Sequence, residues 1–200
     1  MSLDLTFEAP TWDNIYEMLL SLYEKIIKDR FKPDVIVGIS RGGLTPARVM
    51  CDLLGNANLA NITVEFYVGV NKASSEPIIT KPISMPVNGK DVLLFDDVAD
   101  TGKSLCLAKK YLESNGTNCV KTAVIFYKPW SIITPDYYER KTRRWVVFPW
   151  ERKETLRQLV EIYRKANVPL EEVKEKLADG GMDTCLIDRF LSEIIREECK

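Results

Sequence analysis

An α/β fold built on a parallel, doubly wound sheet is what this 200-residue chain predicts, on two observations. Apolar runs of strand length, at residues 35–39, 62–68, 92–95 and 122–127, alternate with segments of helical periodicity. Strands of this kind, without polar alternation, belong to a sheet covered on both faces. Ligands of such sheets gather at the C-terminal ends of the strands, where the strand order reverses. The two most unusual loops of the chain, after Ile39 and after Phe95, fall at strand ends.

In chain order, Thr11 opens a first helix reaching about residue 29, in which Ile15, Leu19, Leu22 and Ile26 recur at helical spacing. Pro33 interrupts it before the first strand, 35–39. A helix over 44–54 and a strand over 62–68 follow. Residues 69–90 are rich in Ser, Pro, Asn, Lys and Gly and read as a long loop or flap-like hairpin. Next come strand 92–95, helix 105–114, strand 122–127 and a last short strand at 144–148. The remainder differs: Leu156/Leu159/Val160/Tyr163, Leu170/Val173/Leu177 and Leu186/Ile187/Phe190/Leu191/Ile194 mark three amphipathic helices, punctuated by Pro169 and Gly180-Gly181. The expected division is 1–151 as the principal domain, with its flap at about 69–90, and 152–200 as a helical extension.

Composition excludes several classes. With 28 basic and 29 acidic residues the net charge is −1, so nothing drives the chain globally toward nucleic acid or an anionic membrane. The first residues lack the basic and apolar segments of a signal peptide. Five scattered cysteines without a C-x-x-C pattern read as reduced thiols, and a cytoplasmic protein is expected. There is no histidine, which excludes a Ser-His-Asp hydrolase and leaves proton transfer to Asp, Glu, Lys, Tyr or Cys.

The chemistry concentrates in Val92-Leu93-Leu94-Phe95-Asp96-Asp97-Val98-Ala99-Asp100-Thr101-Gly102-Lys103-Ser104. A buried strand runs into two adjacent carboxylates and a third, and a small-residue turn then opens a helix whose amides suit an anion. Gly102-Lys103-Ser104 looks like the tail of a P-loop, but the first glycine of that motif is replaced by Asp97, whose charge would repel phosphate. Carboxylates beside a phosphate cradle suit a ligand carrying hydroxyls and a phosphate, such as a phosphorylated ribose escorted by a divalent cation.

This stretch closely resembles the PRPP-binding signature of type I phosphoribosyltransferases. The resemblance implies their fold and Mg²⁺ dependence, with Asp96 and Asp97 on the ribose hydroxyls and metal. It puts Ala99, Asp100, Thr101, Gly102, Lys103 and Ser104 around the 5-phosphate, and Asp100 near N7 of the base as the catalytic group. Ser40-Arg41-Gly42-Gly43 resembles the pyrophosphate loop of the same family, where a non-proline cis peptide is common, here at Ser40–Arg41. Lys128, at the end of a strand, matches the lysine that 6-oxopurine enzymes aim at the purine O6. Trp145-Val146-Val147-Phe148-Pro149-Trp150-Glu151 looks like the segment of bacterial xanthine–guanine enzymes in which the first tryptophan stacks on the base. That implies purine-binding roles for Trp145, Val146 and Glu151, with Glu151 also near the metal and Trp150 in packing.

The expected hood residues are Lys72, Ser74, Ser75 and Lys81, matched only by place. The implied function is transfer of 5-phosphoribosyl from Mg-PRPP to a 6-oxopurine, in an archaeal-like variant that forms a homodimer or homotetramer. Two rivals remain open at the level of sequence. One is the same chemistry on adenine, orotate or uracil. The other is a non-catalytic sensor of PRPP or nucleotide on this fold, against which the missing DNA-reading module and the presence of all three acids argue.

Overall fold

The computed structural model describes residues 5–67 and 76–198. The described residues form two compact units, one within 16–143 and the other made of 5–15 together with 144–198.

The larger unit is a six-stranded sheet in the order β4-β3-β2-β5-β6-β7. Its strands are β2 (Val35–Ser40), β3 (Leu59–Tyr67), β4 (Glu76–Lys81), β5 (Asp91–Ala99), β6 (Cys119–Tyr127) and β7 (Tyr137–Lys141). All neighbours are parallel except β3 and β4, which form an antiparallel hairpin arm. Of the expected hood residues, Lys81 closes β4, whereas Lys72, Ser74 and Ser75 lie outside the described residues. The helices are α1 (Trp12–Lys28), which begins in the smaller unit, α2 (Leu44–Leu53) and α3 (Lys103–Ser114). Thr11 caps α1 as its sequence suggests: Asn14 N donates to Thr11 Oγ1 and Thr11 N to Asn14 Oδ1, each at 3.1 Å.

One core of this unit joins β2, β5 and β6 residues such as Val35, Val37, Val92, Leu94 and Val124 to Leu105, Ala108 and Leu112 of α3. The central strands are almost fully buried, which is why their sequences carry no polar alternation. The chain winds from β2 outward to β3, then returns past β2 to β5, β6 and β7. The winding therefore reverses between β2 and β5, and the loops after these two strands open side by side.

Two strands escape the sequence reading. β7 is an edge strand whose residues are mostly solvated, so it lacks an apolar run. β1 (Phe7–Glu8) is two residues long and pairs in parallel with β8 (Trp145–Val146), the strand expected at 144–148.

In the smaller unit this two-stranded ribbon accompanies α4 (Arg152–Lys165), α5 (Leu170–Asp179) and α6 (Thr184–Glu198). Leu156, Leu159, Val160 and Tyr163 of α4, Val173 and Leu177 of α5, and Ile187 and Ile194 of α6 share a core with Phe7 and Val147. Gly180 permits the ribbon's approach: a Cβ there would meet Phe7 at 2.9 Å, and Gly180 O accepts a 2.8 Å bond from Ala9 N. Lys153 ties α4 to α6 through Glu193 at 2.8 Å and Glu197 at 2.9 Å. No helix among the described residues is long and apolar enough to cross a membrane.

Candidate active site

The site of the larger unit is built where β5 outruns its neighbour. Pairing of β2 with β5 ends at Gly38 and Phe95, whereas β6 accompanies β5 as far as Tyr127 and Ala99. Asp96 and Asp97 therefore lie within β5 rather than after it, contrary to the strand end expected at residue 95. From Asp96 onward, the side of β5 that faced β2 is left to the loop after β2.

That loop is Ser40-Arg41-Gly42-Gly43. A Cβ at Gly42 would overlap the Asp97 carboxylate, and one at Gly43 would overlap the Phe95 carbonyl. Glycine is required at both positions so that the backbone can rest on the end of β5. The Ser40–Arg41 peptide is cis, as expected. Asn61 Nδ2 donates to Ser40 Oγ at 2.9 Å and fixes the start of the loop. Arg41 is exposed.

Asp97 is 7% exposed, and its Oδ1 accepts the Val98 amide at 2.7 Å; Asp96, half-buried, accepts the Asp97 amide at 3.0 Å. Consecutive strand residues leave on opposite faces, so these carboxylates do not converge as a chelating pair. No group of three or more His, Cys, Asp or Glu among the described residues could hold a metal by itself. Such hard oxygen donors fit a Mg²⁺ whose remaining ligands come from substrate and water, and do not fit a closed protein cage.

The turn into α3 is shaped for an anion. Gly102 occupies the N-cap with φ 75°, a left-handed conformation, and a Cβ there would collide with Ser131 and Ile133. A glycine cap has no side chain to engage the first-turn amides, whose partial positive charge is open to water or an anion. Thr101 Oγ1 reaches only as far as the Lys103 amide, at 3.4 Å. The Lys103 ammonium pairs with Glu76 of β4 at 3.1 Å, so this residue offers the turn its amide. Asp100 is exposed and is not the helix cap. Its Oδ1 accepts a 2.9 Å hydrogen bond from Trp130 Nε1, a partner thirty residues away that no sequence spacing points to.

Lys128 sits beside this turn. It is 5% exposed, its amide donates to Ala99 O at 3.1 Å, and its Nζ lies 5.6 Å from the centroid of the Trp130 ring. Ile132 N donates to Thr101 O at 2.9 Å, so the segment after β6 is stitched to the turn at two points. The fold thus gathers Ser40–Gly43, Asp96–Ser104 and Lys128 at one end of one sheet.

Trp145, Val146 and Glu151 belong to the smaller unit. Trp145 is half-buried, tilted against Phe7 with ring centroids 6.3 Å apart. Trp145 N and Val147 N donate to Thr6 O and Glu8 O, both at 2.8 Å. In a parallel pair the bonding residues alternate, so Val146 directs its backbone groups to the other side of the ribbon. Trp150 stacks on Phe148 at 4.8 Å, in keeping with packing, though its buried indole N–H has no partner. Glu151 is half-buried and is the N-cap residue of α4, with its carbonyl accepting the Thr155 amide at 2.9 Å.

A mostly parallel sheet with carboxylates and a glycine-opened helix at its switch point defines a doubly wound α/β protein. Comparison with known families narrows this: residues 11–154 match the phosphoribosyl transferase domain, and the chain belongs to that family. A xanthine-guanine phosphoribosyltransferase of Gluconobacter oxydans is 27% identical over 147 residues, 72% of this chain and 84% of that protein. One from Cereibacter sphaeroides is 28% identical over 161 residues, covering 77% and 90%. Among solved structures, a purine phosphoribosyltransferase from Pyrococcus horikoshii superposes with a TM-score of 0.66 at 38% identity, over 73% of this chain and 94% of that one. The type I phosphoribosyltransferase fold expected from sequence is the fold observed, and the chain is an enzyme of this class.

Proposed function

We propose that this protein transfers the 5-phosphoribosyl group of Mg-PRPP to N9 of a 6-oxopurine (hypoxanthine, guanine or xanthine), releasing pyrophosphate and the nucleoside 5′-monophosphate. The observation that carries this reading is the single cluster formed by the Gly42 backbone over Asp97, the uncapped start of α3 and buried Lys128. Relatives named for xanthine, hypoxanthine and guanine support the choice of base.

In this reading the amides of residues 101–104 and the Thr101 and Ser104 hydroxyls hold the 5-phosphate, and the Ser40–Gly43 backbone with Arg41 receives the pyrophosphate. Asp96 and Asp97 would hold the ribose hydroxyls and offer carboxylate oxygens to magnesium, and the family resemblance assigns Glu151 a water-mediated role toward the same ion. Bound magnesium supplies positive charge to the leaving pyrophosphate. Lys128 donates to O6, which an adenine amino group cannot accept, so the wrong base leaves two donors facing each other. The family resemblance assigns base stacking to Trp145 and contacts with the purine edge to the Val146 backbone. As the N9 bond forms on an oxocarbenium-like centre, Asp100 takes the N7 proton.

Initial rates with Mg-PRPP against adenine, hypoxanthine, guanine, xanthine, orotate and uracil test this. Turnover confined to oxopurines, falling about 100-fold or more in Asp100→Asn, is expected; Lys128→Ala lowers oxopurine turnover selectively. Turnover with adenine or a pyrimidine would overturn the assignment of the base. Binding of PRPP with no turnover at all would favour a sensor.

The enzyme would work as a homo-oligomer. Tyr16, Leu20 and Ile27 are exposed on α1, and with Tyr23 they fall within about a quarter of its circumference. Glu17 and Lys28 flank this stripe at opposite ends, so two copies crossing antiparallel set each Glu17 against the partner's lysine. Sedimentation is expected to show at least a dimer, reduced to monomer by Leu20→Glu.

A further inference from the structure

We infer that Trp130 is a positioning residue for the proton transfer, holding one oxygen of Asp100 so that the other faces the base. The inference rests on the catalytic reading of Asp100 above. Trp130 is half exposed, and an exposed tryptophan placed for packing has no need of a polar partner. Its Nε1 nevertheless lies 2.9 Å from Asp100 Oδ1, across the turn that would hold the 5-phosphate.

The indole is itself held in place. Lys128 Nζ stands 5.6 Å from its centroid, within reach of a cation–π contact. Ser131 N donates to Lys128 O at 3.0 Å, and Ile132 N to Thr101 O at 2.9 Å. The ring is thus anchored by the residue proposed to read O6 and by the backbone beside Asp100. A donor on Oδ1 fixes the carboxylate's rotation, leaving Oδ2 as the proton acceptor. Geometry of this kind matters, because a displacement near 1 Å in a reacting group costs up to about 100-fold in rate. Trp130 therefore couples two jobs: the cation that recognises the base and the acid–base group that completes its reaction share one aromatic ring.

The experiment compares Trp130→Phe with wild type, alone and in an Asp100→Asn background, with kcat, both KM values and the melting temperature. Phenylalanine keeps an aromatic face for Lys128 while losing the N–H together with part of the ring, so the melting temperature and KM report any loss of packing. A fall in kcat of about tenfold is expected, with both KM values and the melting temperature close to wild type. In the Asp100→Asn background the same change should leave the residual rate unaltered, since the group it positions has lost its function. A purely structural role would lower the melting temperature or raise KM, and its effect would persist in both backgrounds; that result overturns the inference. So does an unchanged kcat in Trp130→Phe while Asp100→Asn is inactive, which would leave the catalytic reading standing. An active Asp100→Asn removes both.

Discussion

Two turns of this molecule rest on left-handed glycines and do opposite things with them. Gly181, φ 98°, follows α5, where Met182 N bonds Leu177 O at 3.0 Å and Gly181 N bonds Ala178 O at 2.9 Å. Those two bonds form a Schellman motif, closing the helix end on itself. Gly102, φ 75°, precedes α3 and supplies no cap. One glycine satisfies the backbone of its helix; the other leaves the backbone groups for something else to satisfy. First-turn amides left open in this way are available to water or to a ligand, and at α3 they lie on the same turn as Asp100, just after the Asp96 and Asp97 carboxylates of β5.

Substituting each glycine by alanine separates the two cases. Gly102→Ala drives a methyl into Ser131 and Ile133 and pushes the turn away from the segment carrying Lys128. The KM for PRPP is expected to rise about 10- to 100-fold. Gly181→Ala meets only ordinary contact, with Ala9 O at 3.4 Å, so the expected cost is that of the left-handed backbone, about 1–2 kcal/mol. It should appear in denaturant melts with KM unchanged. A Gly181→Ala enzyme with a raised PRPP KM, or a Gly102→Ala enzyme losing stability alone, would erase the distinction.

Legibility from sequence follows the same divide. Wherever a residue's reason is local, the sequence displays it: the Thr11 cap, the buried runs of β2, β5 and β6, the small residues around Gly102 and the paired glycines of the loop after β2. What hides depends on pairing across the chain. β7 has no apolar run because one of its edges meets solvent, and β1 is too short to show a period. The continuation of β5 through Asp96 and Asp97 depends on β6 running beside it. The Trp130–Asp100 bond joins positions that only the stacking of two strand ends brings together.

Charge repeats the contrast between open and closed groups. At the C-terminal end of the sheet, carboxylates gather beneath a loop shaped for a ligand. Toward the start of β6 and β7 a comparable cluster is closed: Tyr137 donates to Asp29 at 2.5 Å, and Lys121 pairs with the same carboxylate at 2.9 Å. The Tyr137 bond, then Lys121, holds the Asp29 carboxyl below its ordinary range. Burial, then Asp29, pushes the Tyr137 phenol up. A carboxyl depressed by folding stabilises above its unfolded value of about 4 and loses that contribution as the pH falls through the folded value beneath it. A phenol raised by folding contributes below its unfolded value of about 10 and loses that contribution as the pH rises beyond it. The stability advantage of wild type over Tyr137→Phe should therefore be greatest from about pH 4 to pH 10 and shrink on either side, with oxopurine turnover at neutral pH unchanged. Melting temperatures of both proteins at acid, neutral and alkaline pH check this. Parallel curves throughout would show that the cluster is not closed, and that the two ends of the sheet differ less than their geometry indicates.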